Sequence, residues 1–316
     1  MRVWRAFVAA AALSAAPISA QTTAPEPEPG TIIVPGKREI DRAIVEQNIE
    51  QLTTRVPVLD VVPRFYRPLC LHVLGPDLAA NRIIAERITE AARTAGLKKP
   101  KPNCRENALV IIVDEPSLLF DKLVQRRHGS ISPGDQDVSI RRLRSELDSG
   151  KPAISWNRSA FTKDGINLVD NPGGAPEART PAGPKIASNI FRSKILSVVI
   201  FDSNQIGNAT PAQLGDYAAL HLLTTPKRNI NFDAVSARTI LSLFTDGPDR
   251  APEGMTAFDW AYLKGVHALG SKAYRGKVHH AVLDAYEAQC MDEDEDCQFI
   301  VPADAQPLRE ASDEGG

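Results

Sequence analysis

Two apolar runs, Leu109–Val113 (LVIIV) and Ile195–Phe201 (ILSVVIF), constrain this chain more than any other feature. Neither alternates apolar with polar residues, as a strand with one wet face would. Short continuous runs rich in Val and Ile suit buried strands. A third strand is expected over Ala153–Phe161. Most other periodic segments have a helical spacing. Asp77 can cap a helix to Ala95, with Ala80, Ile83, Ile84, Ile88, Ala91, Ala92 and Ala95 as its apolar stripe and Gly96 as its end. Asp114 is expected to cap a helix over Leu118, Leu119, Leu123 and Val124. Arg126 and Arg127 close that helix before Gly129, where cations suit the negative end of the dipole. A short polar helix is expected over Val138–Leu147.

Helical spacing continues through the second half, and no internal repeat is present. Thr210-Pro211 is a cap followed by proline at the first helical position, ahead of Leu214, Tyr217, Ala218, His221 and Leu222. A shorter helix is expected near Ala237–Phe244. Thr256 and Asp259 form a capping-box pattern before Phe258, Ala261, Tyr262, Gly265, Val266 and Leu269, and the small Ala261 and Gly265 would admit a close neighbour. A last helix spans about Lys277–Gln289. Strands mixed with helices, without strict alternation, predict one α+β domain over 55–300, a small sheet packed by several helices. Residues 21–54 read as a flexible N-terminal segment and 301–316 as a disordered tail. Seven Pro or Gly among residues 171–184 predict a long exposed loop.

The first twenty residues have the layout of a secretory signal peptide. Arg2 and Arg5 flank Trp4, Ala6–Ala16 is apolar, and Ile18-Ser19-Ala20 offers a small-residue cleavage site. The apolar core is shorter than the roughly 20 residues that a membrane span needs. Cleavage before Gln21 predicts a soluble periplasmic or secreted protein. The 37 Lys and Arg, less two in the signal, leave 35 against 39 Asp and Glu, a formal charge of −4. A mildly acidic chain without a basic stripe argues against a nucleic-acid partner. Four cysteines in an exported chain predict disulfides. Of three pairings, the local ones are expected, Cys70–Cys104 and Cys290–Cys297; no C-x-x-C suggests a metal site instead.

Motifs for catalysis are few. G-x-S-x-G, G-x-G-x-x-G and H-E-x-x-H are absent, and the glycines Gly270 and Gly276 before Lys277 have the wrong spacing for a phosphate loop. The helix over Ala212–Leu223 comes nearest to a metal motif. A zincin needs two histidines at i and i+4, with a glutamate beside the first to activate water. Here Tyr217 stands at the first ligand position, Ala218 at the base position, and only His221 remains. His221 therefore reads as a structural histidine facing the core. His280 and Asp284, beside His279, share a helix face at i, i+4 and form a second candidate clamp. Asp292–Asp296 is an acidic run without the glycine turn of a calcium loop.

The strand Val198–Phe201, this helix, Ser242-Leu-Phe-Thr-Asp-Gly and Met255-Thr-Ala-Phe-Asp-Trp-Ala-Tyr-Leu-Lys-Gly-Val-His together resemble a group of exported alphaproteobacterial families of unknown function. The resemblance covers residues 60–270, best over 195–270. It implies a zincin-like layout lacking H-E-x-x-H, with no activity to carry over. Thr31–Arg38 likewise resembles the hydrophobic-then-basic stretch near the start of many exported proteins of sphingomonad-like bacteria, and reads as a tethering linker. The expected function is a non-catalytic exported protein that binds or supports an envelope protein or polymer, with no cofactor and no catalytic residue assigned. The alternative is a metal-dependent hydrolase or peptidase using His221 with ligands from elsewhere, such as Asp216, His267 or His280. A carbohydrate-binding module is a third reading, weakened by only three Trp and five Tyr for stacking sugars.

Overall fold

The computed structural model describes residues 42–54, 61–125, 138–163, 166–167, 190–270, 274–290 and 297. The expected signal peptide, the linker to residue 41, the 171–184 loop, the 292–296 run and the tail lie outside these residues. The described chain belongs to one compact unit, Glu39–Gly316. In chain order its elements are α1 (Arg42–Leu52), β1 (Leu71–Leu74), α2 (Leu78–Thr94), β2 (Ala108–Val113), α3 (Pro116–Gln125) and α4 (Ile140–Asp148). Then follow β3 (Ala153–Lys163), β4 (Ile166–Asn167), β5 (Ile190–Asp202), α5 (Pro211–Leu223), α6 (Leu243–Asp246), α7 (Ala257–Ala268) and α8 (Arg275–Gln289). The fold is α+β, as expected.

The five strands form one sheet in the order β1-β2-β5-β3-β4. β1, β2 and β5 run parallel, while β3 is antiparallel to β5 and to the two-residue β4. The LVIIV and ILSVVIF runs sit side by side in the centre, Leu109 opposite Val198 and Val110 opposite Val199. Apart from Ile195, both their faces are covered, which accounts for their largely unbroken apolar sequence. Val110, Val199 and Phe201 join a core with α1, α2, α5, α7 and α8. Leu109, Val198 and Ile200 join a second core with Phe120 of α3, Leu143 of α4 and Trp156 of β3. Among the described residues no helix is long and apolar enough to cross a membrane.

Glycine sets the spacing of two helix pairs. A Cβ on Gly265 of α7 would lie 2.5 Å from the Val282 Cα and backbone nitrogen of α8, so the helices meet backbone to backbone. A Cβ on Gly215 of α5 would meet Arg87 Cβ at 2.8 Å and Ile84 Cα at 3.2 Å on α2. Two buried cations then close helix ends. Lys194 Nζ donates to the carbonyls of Leu222, at 2.8 Å, and Thr224 at the end of α5. Arg64 donates to Val266 at 3.1 Å, His267 at 3.0 Å and Gly270 at the end of α7. Each places positive charge where a helix leaves carbonyls unpaired and its dipole is negative.

Three expectations need correction. The domain does not start at residue 55: α1 lies within the stretch assigned to a flexible segment, with Val45, Ile49 and Leu52 fully buried. The apolar spacing was present but followed a Pro- and Glu-rich stretch that masked it. Asn48 on the same face accepts from Ser236 N at 2.8 Å and Ala237 N at 3.3 Å, tying α1 to the later chain. β1 was missed because its four residues are half exposed and include His72. Pro116 opens α3, so Asp114 stands outside the cap position. The cysteines pair locally, Cys70 with Cys104 at 1.99 Å and Cys290 with Cys297 at 2.07 Å. Such bonds persist in oxidising compartments outside the cytoplasm.

Candidate functional site

α5 carries the histidine that the sequence singled out. Thr210 accepts from Gln213 N at 3.2 Å while the Gln213 side chain accepts from Thr210 N at 3.0 Å, a complete capping box. Leu214, Ala218 and Leu222 join the large core, while Tyr217 and His221, their rings 4.5 Å apart, meet the sheet, with the Tyr217 ring 6.0 Å from Phe201 of β5. His221 Nδ1 lies 3.0 Å from Ser155 Oγ on β3. Arg228 donates to both Glu146 oxygens and to the Ser155 carbonyl. Ser155, Glu146 and Arg228 were not anticipated; they lie up to 82 positions apart and leave no local trace.

A serine hydroxyl on an imidazole is the geometry of a nucleophile and its base. The electrostatics oppose that role. Burial, then the Arg228 and Lys194 charges, press the His221 pKa down to about 3. A base must become positive as it takes the proton, and two fixed cations work against it. The carboxylate nearby, Glu146, is held by Arg228, and among the described residues no carboxylate bonds the second ring nitrogen of His221. The pair is a neutral hydrogen bond joining α5 to β3.

The other metal candidates do not converge. Asp216 receives Arg87 through two hydrogen bonds, one of 2.8 Å, and Met255 N at 2.7 Å, locking α5 to α2. His267 Nε2 lies 3.0 Å from the Leu223 carbonyl. His280 and Asp284 are exposed on α8. Among the described residues no three His, Cys, Asp or Glu side chains gather to hold a metal ion.

These buried groups set the acid response. Burial also lowers His267, to about 4, and raises Asp259 to about 6 despite hydrogen bonds from Thr239, Ile240 and Thr256. The histidines are depressed below their unfolded value near 6.5, so the unfolded chain binds more protons and stability is lost as pH falls through that value. Asp259 is raised, so between about pH 6 and 4 it opposes one histidine. Part of each histidine reaches the surface, which discounts the ideal slope of about 1.4 kcal/mol per pH unit to about 1 for each. The expected net loss between pH 6 and 4.5 is therefore about 1–2 kcal/mol. Urea unfolding across that range should show it, and His221→Gln with His267→Gln should flatten or reverse the slope. Stability that is unchanged or rises in the wild type would contradict the reading.

A concavity lies elsewhere. A groove of about 1070 Å³ opens where β1, β2 and β5 begin, lined from three stretches of chain, Tyr66 to His72, Lys101 to Leu109 and Phe191 to Leu196, each contributing most of its residues, and by Arg158. Leu109 and Leu196 belong to the core under α3 and α4 and also line the groove, so it starts where that cover ends. Arg67, Lys101 and Arg105 are exposed along it, and Glu106 is the one carboxylate among the described residues that line it. The Cys70–Cys104 bond draws two of its segments together. Asn107 reinforces the join, accepting from Cys70 N at 2.8 Å and donating to the Pro68 carbonyl at 3.0 Å. Sequence reasoning missed the groove because its cations are scattered through an acidic chain. The cysteine pairing was the legible hint.

Comparison with known proteins gave no match: no family model, no curated protein and no solved structure matches this chain.

Proposed function

We propose that this chain is an exported binding protein of the cell envelope that holds its ligand in the groove at the start of β1, β2 and β5 and catalyses no reaction at His221. The observation that carries the reading is the groove itself: it is concave, it lies where the helical cover of the sheet stops, and a disulfide fixes its wall. The opposed electrostatics of the Ser155–His221 pair support the non-catalytic part.

A ligand that binds only the folded state raises its melting temperature. An envelope extract separated into lipid, glycan and protein fractions should contain one that raises the melting temperature of the wild type. The same fraction should leave the groove-filling Ser193→Trp variant unshifted. Equal shifts in both would place binding outside the groove. Stoichiometric zinc lost in His221→Ala, or fluorophosphonate labelling of Ser155, would instead make the protein a hydrolase.

A further inference from the structure

Resting on the groove as the binding site, we infer that its ligand is an anionic amphiphile, with its acidic headgroup at Arg67, Lys101 and Arg105 and its hydrocarbon along Ile195 and Leu196. The apolar half of this match comes from a break in the β3–β5 ladder. Arg158 pairs with Leu196 and Ser159 with Lys194, which leaves Ile195 as an extra residue on β5. A bulge of this kind re-aims a side chain. Ile195 is 46% exposed, and it and Leu196, adjacent in sequence, both line the groove. Leu109 and Phe191 extend the same apolar floor. Hydrocarbon laid over such a floor is removed from water on both sides of the contact.

The rim supplies the charge. Lys101 and Arg105 stand on the loop closed by Cys104, and Arg67 on the segment leading to Cys70. Lys194 also lines the groove, but its ammonium serves the end of α5. Among the described lining residues Glu106 alone opposes these cations, so a neutral lipid would leave the rim unmatched and a cationic one would be repelled. The volume lies at the upper end of small-molecule sites, which fits one amphiphile rather than a protein surface.

The test is titration calorimetry of the purified protein with dodecyl phosphate below its micellar concentration. Octyl phosphate, inorganic phosphate and dodecyl maltoside are the comparisons. Dodecyl phosphate should bind at least about tenfold more tightly than octyl phosphate, because four methylenes are lost from the apolar floor. It should also exceed dodecyl maltoside about tenfold, and the triple variant Arg67→Ser, Lys101→Ser, Arg105→Ser should remove that preference. Ile195→Asn should weaken the dependence on chain length. Dodecyl maltoside binding as tightly as dodecyl phosphate, with both blocked by Ser193→Trp, would overturn the anionic headgroup and keep the groove. Inorganic phosphate binding as tightly as dodecyl phosphate would overturn the hydrocarbon. Dodecyl phosphate binding unchanged by Ser193→Trp would overturn the groove as well.

Discussion

Replacing Gly265 by alanine should destabilise the protein by about 2–3 kcal/mol, although alanine is the better helix former by about 1 kcal/mol. The added methyl would lie 2.4–2.5 Å from Val282 Cγ2, Cα and N. Two of these atoms are backbone, so no rotamer change relieves the overlap and α7 must move away from α8. That motion strains the contacts of Phe258 with Tyr286, whose rings meet edge to face with centroids 6.0 Å apart. Gly276 provides an internal control on α8 itself. Nothing lies within 4 Å of its hypothetical Cβ, so Gly276→Ala should be neutral or slightly stabilising. Chemical denaturation of both variants measures the contrast. Equal stability would show that the α7–α8 contact is loose.

Gly265 also marks how far the sequence could be read. Its place beside Ala261 on an apolar stripe indicated a close neighbour, because small side chains at helical spacing leave room for one. It could not say that the neighbour was α8. The same division runs through the fold. The two central strands, the Asp77 and Thr210 caps and the Thr256–Asp259 capping box are local signals and emerged where expected, whereas α1 and β1 owe their places to distant partners. At the candidate sites the gap is wider. His221 stood out because a motif-like helix surrounded it, and its actual partners, Ser155 and Arg228, come from other parts of the chain. The cations of the groove carry no motif at all. Arg67 and Arg105 become neighbours of one cavity only in the folded chain, where the Cys70–Cys104 bond and Asn107 hold their segments together.

Removing that join, with Cys70→Ala and Cys104→Ala together, should cost about 3–4 kcal/mol in the chain-entropy estimate. The bond spans a sequence separation of 34 residues, and without it the unfolded chain regains the freedom of that loop. The native arrangement should survive, because Asn107 still ties Cys70 N and the Pro68 carbonyl to the start of β2. The second pair spans only 7 residues, so Cys290→Ala with Cys297→Ala should cost less, about 2 kcal/mol. Guanidinium unfolding of the two double variants would check the order. A larger loss from the 290–297 pair would mean that native-state contacts, and not loop closure, dominate.

The extra residue on β5 also works as a phase shift within one strand. Downstream of it the odd-numbered side chains Val199 and Phe201 face the large helical core; upstream, the even-numbered Lys194 faces that same side and reaches the end of α5. A regular strand would keep one parity throughout and turn the Lys194 side chain to the opposite face, away from the end of α5, leaving the Leu222 and Thr224 carbonyls without their cation. Shortening β5 by Ile195 would thus exchange the inward and outward sets for everything before it. A single inserted residue lets one strand serve two incompatible patterns, an oily seam in its second half and a charged clasp in its first.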